Sequence, residues 1–170
     1  MRRLILFRHG KAEARAVGGG GDIDRPLAKR GCADSAIMGR VLAREGLAPD
    51  LALVSSALRT RQTWDCACAA FPGARLTVLA SLYDASPAAV MAEVEAAGEN
   101  AGTVVVVGHN PGLHELAVNL VLQGGGGASD VARLAAKFPT ASAAAFIADE
   151  AGRLVFDGLF LIRDHGGEGG

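Results

Sequence analysis

Four consecutive valines, Val104-Val105-Val106-Val107, constrain this chain more than any other stretch. A β-branched run, apolar at every position and bounded by Gly102-Thr103 and Gly108, reads as a strand buried on both faces. Leu4-Ile5-Leu6-Phe7 and Leu51-Ala52-Leu53-Val54 repeat the pattern. Strands covered on both sides belong to parallel sheets with helices packed against each face.

The intervening stretches supply those helices. Over residues 27–45, Ala33, Ile37, Val41 and Leu42 recur at helical spacing, and Gly46 provides the stop. A second helix is expected over 57–70, with Ser55 or Ser56 as its N-cap and Phe71-Pro72-Gly73 closing it. A weaker strand over 75–79 precedes a helix entered at Ser86-Pro87 and running to about residue 97. Helices over 113–122 and 130–136 follow the valine strand. Two last strands, 143–148 and 154–162, are joined by the hairpin signal Asp149-Glu150-Ala151-Gly152. The order predicts an α/β fold, a three-layer α/β/α sandwich with a mainly parallel central sheet and an antiparallel strand at one edge. One domain over 1–165 with a flexible tail at 166–170 accounts for the 170 residues.

Charge narrows the function. Seventeen Lys and Arg against eighteen Asp and Glu give a formal charge of −1, with no long basic run. That argues against a nucleic-acid binder working by bulk electrostatics and leaves room for a local basic pocket. The basic-then-apolar start MRRLILF is too short for a signal peptide, and no segment reaches the roughly 20 apolar residues of a membrane helix. Cys32, Cys66 and Cys68 fit no zinc or redox spacing and read as reduced thiols of a cytoplasmic protein.

In a parallel sheet the carboxyl ends of the strands release their loops at one edge, where ligands bind. The first strand ends in Arg8-His9-Gly10, the second in Ser55-Ser56 with Arg59 one helical turn on, and the valine strand in Gly108-His109-Asn110. Two arginines and two histidines therefore converge from positions up to a hundred residues apart. Guanidinium groups match the oxygens of phosphate with paired hydrogen bonds, and a helix N-terminus favours anions. Each signal alone also fits solvated or packed residues; three strand ends together point to an anion site. Gly18-Gly19-Gly20-Gly21 with Asp22-Ile23-Asp24-Arg25-Pro26 makes a long loop directly after the first site strand, and such loops tend to be functional or disordered. It is not a Walker-type cradle, since no Gly-Lys-Ser/Thr follows.

Leu6-Phe7-Arg8-His9-Gly10, the run Ser55-Ser56-Ala57-Leu58-Arg59-Thr60-Arg61-Gln62-Thr63, and Gly108-His109-Asn110 resemble the histidine phosphatase superfamily, with its phosphoglycerate-mutase-like fold. Asp24-Arg25-Pro26-Leu27, Arg30-Gly31, Pro111-Gly112-Leu113 and Lys137-Phe138-Pro139-Thr140 are similar to the SixA-type phosphohistidine phosphatases, and the resemblance spans residues 3–164.

That resemblance implies a metal-independent phosphatase without cofactor. His9 would be the nucleophile that carries a phosphohistidine intermediate, with Arg8, Arg59 and His109 holding the phosphoryl oxygens and Gly10 and Lys11 nearby in substrate binding. His109 is expected as the cation and His9 as the neutral imidazole, both starting from a free pKa near ~6.5. The substrate is expected to be a phosphorylated protein bearing phosphohistidine. The alternatives are a small phosphate ester, such as a sugar or nucleotide phosphate, or a phosphate- or phosphoprotein-binding module without turnover. An ester would need a general acid, for which Asp84 and Glu13 are candidates; Asp84 also suits the cap of the helix at Ser86-Pro87. Arg25 and Arg30 read as solvated, and His114 as structural.

Overall fold

The computed structural model describes residues 1–98 and 101–169. Its six strands are β1 (Arg3–Arg8), β2 (Leu51–Ser55), β3 (Arg75–Leu79), β4 (Thr103–Gly108), β5 (Ala143–Ala148) and β6 (Leu154–Phe160). They form one sheet in the order β3-β2-β4-β1-β5-β6. Strands β1, β2, β3 and β4 run parallel, which requires crossovers, and helices supply them. These are α1 (Lys29–Arg44), α2 (Leu58–Ala67), α3 (Pro87–Gly98), α4 (Gly112–Gln123) and α5 (Ala128–Ala136).

Alternation along each buried strand splits the core in two, because successive side chains point to opposite faces. Leu4, Leu6, Val104 and Val106 pack with Val90 and Val94 of α3, Leu113 and Leu116 of α4 and Leu134 of α5. Ile5, Phe7, Val105 and Val107 pack with Met38 and Leu42 of α1 and Trp64 of α2. Helices thus cover both faces, as the continuous apolar runs require. β1 and β4 are in register with Arg8 opposite Gly108, so His9 and His109 leave the sheet side by side.

Four features depart from the sequence reading. The antiparallel strand is β5, second from the edge; β6 pairs antiparallel to it and forms the edge itself. A hairpin added to a parallel sheet reverses only its first strand. Helix α2 has Ala57 as its N-cap with no side-chain cap; Ser55 and Ser56 both lie before that position, and Ser55 Oγ pairs with His109. Cys32 of α1 and Cys66 of α2 form a disulfide with Cα atoms 5.5 Å apart, overturning the expectation that all three cysteines are reduced; Cys68 is free. Spacing along the chain does not reveal this pairing, which comes from two helices packing side by side. Finally, the backbone N–H groups of Glu168 and Gly169 donate to the Asp34 carboxylate on α1 at 3.1 and 3.2 Å, which docks this part of the expected tail; Gly170 lies outside the described residues. No helix among the described residues is long and apolar enough to cross a membrane.

Candidate active site

β1 delivers Arg8 and His9 to the carboxyl edge, and Gly10 turns the chain away. Gly10 is buried, and a Cβ there would sit 2.5 Å from the Gly31 carbonyl oxygen and 2.7 Å from Ser35 Oγ. Only glycine lets the strand leave so close to α1. The Gly10 N–H donates to Thr63 Oγ1 at 3.0 Å, and that hydroxyl donates to the Arg59 carbonyl at 2.7 Å. The turn after β1 is thereby tied to the turn of α2 that carries Arg59.

The partners of His9 fix its tautomer. Its Nδ1 lies 2.7 Å from the Gly10 carbonyl oxygen, which can only accept, so Nδ1 carries the proton and Nε2 keeps its lone pair. Burial is the main cause that pulls its pKa down to about 4, with Arg59, Arg8 and Arg25 adding to it. At neutral pH the ring is therefore uncharged, with the Nε2 lone pair available. The His109 ring lies 5.2 Å from it at a 59° tilt.

His109 is 6% exposed, and among the described residues its ring makes one polar contact, from Nε2 to Ser55 Oγ at 2.8 Å. Its Nδ1 is buried with no partner in the described structure, an arrangement that an added phosphoryl oxygen would satisfy. Burial lowers its pKa to about 3, helped by His9 and Arg59. His109, expected as the cation, is therefore held neutral by its surroundings. Desolvation of the buried ring, which the sequence did not show, and the adjacent guanidiniums, which it did, explain the difference.

Arg59 is 5% exposed. Its terminal nitrogens donate to the Asp22 backbone carbonyl at 2.7 Å and to the Asp22 carboxylate at 2.9 Å. The same carboxylate accepts from Arg25 at 2.8 Å and from the Tyr83 hydroxyl at 3.0 Å. Hydrogen bonding from Arg25 first, then from Tyr83, with the charge of Arg59, holds Asp22 at about 2, so it is ionised. Tyr83 bridges the cluster, with the Arg59 guanidinium 5.9 Å from its ring centroid and the His109 ring meeting it edge-on at 5.6 Å. Arg8 donates to the Phe138 carbonyl at 2.8 Å, and burial lowers its pKa.

Arg8, His9, Arg59 and His109 thus occupy one site. A histidine phosphatase superfamily (branch 1) model matches residues 4–87. An uncharacterised Mycobacterium tuberculosis protein is 38% identical over 125 residues, covering 72% of this chain and 76% of that one. The chain belongs to the histidine phosphatase superfamily. Its fold superposes on an Agrobacterium tumefaciens chain described as a SixA phosphohistidine phosphatase, with a TM-score of 0.80, 29% identity, and 94% and 97% of the two chains covered. The protein histidine phosphatase SixA complexed with tungstate aligns at a TM-score of 0.77 and 26% identity over 95% and 98%.

The remaining candidates lie further out in this superfamily member. Lys11 and Glu13 are exposed on the loop after β1, where their backbones pair with Ala28 and Pro26. Asp84 does not cap α3, since Ser86 Oγ accepts from the Ala89 N–H at 3.3 Å; it stands exposed at a positive φ of 49° on the wall of a cavity shared with His109. His114 is structural, donating from Nε2 to the Leu134 carbonyl at 2.7 Å. Sequence reasoning missed Asp22, Tyr83 and the Ser55 contact to His109. The glycine loop marked the segment holding Asp22, but nothing local showed which of its carboxylates turns inward.

Proposed function

We propose that this phosphatase hydrolyses protein phosphohistidine through a phosphorylated His9. The observation that carries the reading is the bare Nε2 of His9, held uncharged with its other nitrogen on the Gly10 carbonyl. Nε2 attacks phosphorus in line; the new N–P bond forms as the bond from phosphorus to the substrate nitrogen breaks, and the departing imidazole takes up a proton. Water then cleaves the phosphohistidine, releasing inorganic phosphate and returning Nε2 with its lone pair. Arg8 and Arg59 supply positive charge to the phosphoryl oxygens, so charge stabilisation comes from side chains without a metal ion. A bound dianion also favours protonation of His109 at the orphan Nδ1. The likeness to a SixA structure holding tungstate, a tetrahedral oxyanion, supports this reading.

A phosphohistidine leaves as an imidazole and asks little of a general acid, whereas an ester must protonate an alkoxide. The ester reading keeps one specific support, the exposed Asp84 carboxylate beside His109. A panel of phosphohistidine peptide, sugar phosphate and phosphotyrosine separates the two. Wild type is expected to prefer phosphohistidine, His9→Ala to lose turnover by roughly 10³-fold or more, and Asp84→Asn to change the phosphohistidine rate less than about threefold. Preference for a sugar phosphate with loss of turnover in Asp84→Asn would establish the ester reading instead.

A further inference from the structure

Two cavities open on either side of the turn after β4, and their charges are opposite. The first, about 410 Å³, runs from Arg8 past Phe138 to Lys137 and Arg163; every charged residue on its wall is cationic. The second, about 280 Å³, runs from His109 to Asp84 and Glu115; every charged residue on its wall is acidic. Asn110 lines both, and its side-chain N–H donates to the Phe138 carbonyl at 3.0 Å, which fixes the partition between them. Each cavity touches one member of the phosphoryl site, Arg8 on one side and His109 on the other.

A small phosphorylated metabolite extends from its phosphoryl group in one direction and fills one such cavity. A polypeptide passes through its phosphorylated residue and leaves in two directions. We infer that the paired cavities are a docking rim for a phosphohistidine segment with an acidic side chain on one flank and a basic side chain on the other. This rests on the proposed function and names the partner's local chemistry. The basic cavity takes the acidic flank at Lys137 and Arg163, and the acidic cavity takes the basic flank at Glu115. Opposed charge at a rim contributes mainly to orientation and encounter, so its effect appears in KM and fades with salt.

The test uses two phosphohistidine peptides that differ only in the order of flanking glutamates and lysines, with p-nitrophenyl phosphate as a control lacking flanks. Wild type is expected to prefer one order by about three- to tenfold in kcat/KM at low salt, mostly through KM. The triple variant K137E/R163E/E115K is expected to reverse that preference while leaving p-nitrophenyl phosphate hydrolysis within about twofold. Equal turnover of both peptides by wild type, or a preference that the triple variant leaves in place, overturns the docking rim and leaves phosphohistidine as substrate. Hydrolysis of p-nitrophenyl phosphate with neither peptide accepted overturns the substrate reading itself.

Discussion

Asp22 puts a negative charge against the Arg59 guanidinium, which the proposed function assigns to the phosphoryl oxygens. Its carboxylate is shared by Arg59, Arg25 and Tyr83, and at about 2 its pKa keeps it ionised wherever the protein is assayed. An incoming dianion meets that charge as a repulsion partly offset by Arg25. Asp22→Asn keeps an oxygen for Arg59 and removes the charge, so tungstate is expected to bind about three- to tenfold more tightly at low salt, with the gain shrinking as salt rises. Calorimetric titration of both proteins checks this. Weaker binding by the variant would mean that the carboxylate is needed to hold Arg59 in place. At this scale Arg8, His9, Arg59 and His109 were legible because each follows a recognisable strand end. Asp22 was not, since its contacts are made across 37 residues of chain and depend on how the glycine loop folds back.

Among the elements, α1 and α2 form the wall behind the site. Gly31 and Ser35 of α1 crowd Gly10, and Arg59 and Thr63 of α2 hold Asp22 and the Gly10 N–H. The Cys32–Cys66 disulfide ties these helices together across 34 residues of sequence. Cross-linking a loop of that length restricts the unfolded chain, so Cys32→Ser/Cys66→Ser is expected to lose about 2–4 kcal/mol in urea denaturation, as is wild type under reductant. No change between oxidised and reduced protein would show that the bond contributes nothing to the wall. Apolar runs made β1, β2 and β4 readable, and helical periodicity with Gly46 bounded α1. The N-cap of α2 was misread because the helix begins past both serines: Ala57 holds the cap position, and Ser55, a good cap by type, shares a hydrogen bond with His109. The place of β5 beside β1 was hidden for another reason: local patterning shows that two strands pair, not which of them meets the sheet.

For the whole molecule, burying two neutral histidines links folding to pH. His9 and His109 take up protons at about 4 and about 3 when folded, and near ~6.5 when unfolded. Both folded values are depressed, so their contribution is complete above about pH 6.5 and is lost as pH falls from there through the folded values. Each histidine adds up to about 1.4 kcal/mol per pH unit across that window. Asp22 acts lower, so denaturation near neutrality and at about pH 5 tests the two histidines; equal stability at the two would contradict their burial as neutral rings. In the proposed function the same burial sets up the chemistry, because a ring kept uncharged beside two guanidiniums has a lone pair to offer phosphorus. Rapid acid-free quench of radiolabelled phosphohistidine peptide, followed by peptide mapping, tests that claim most directly. Label is expected to be trapped in the first turnover on His9, stable to alkali and released by acid, and absent from His9→Ala. Label released as phosphate with no enzyme-bound species, or trapped on any other residue, would contradict it.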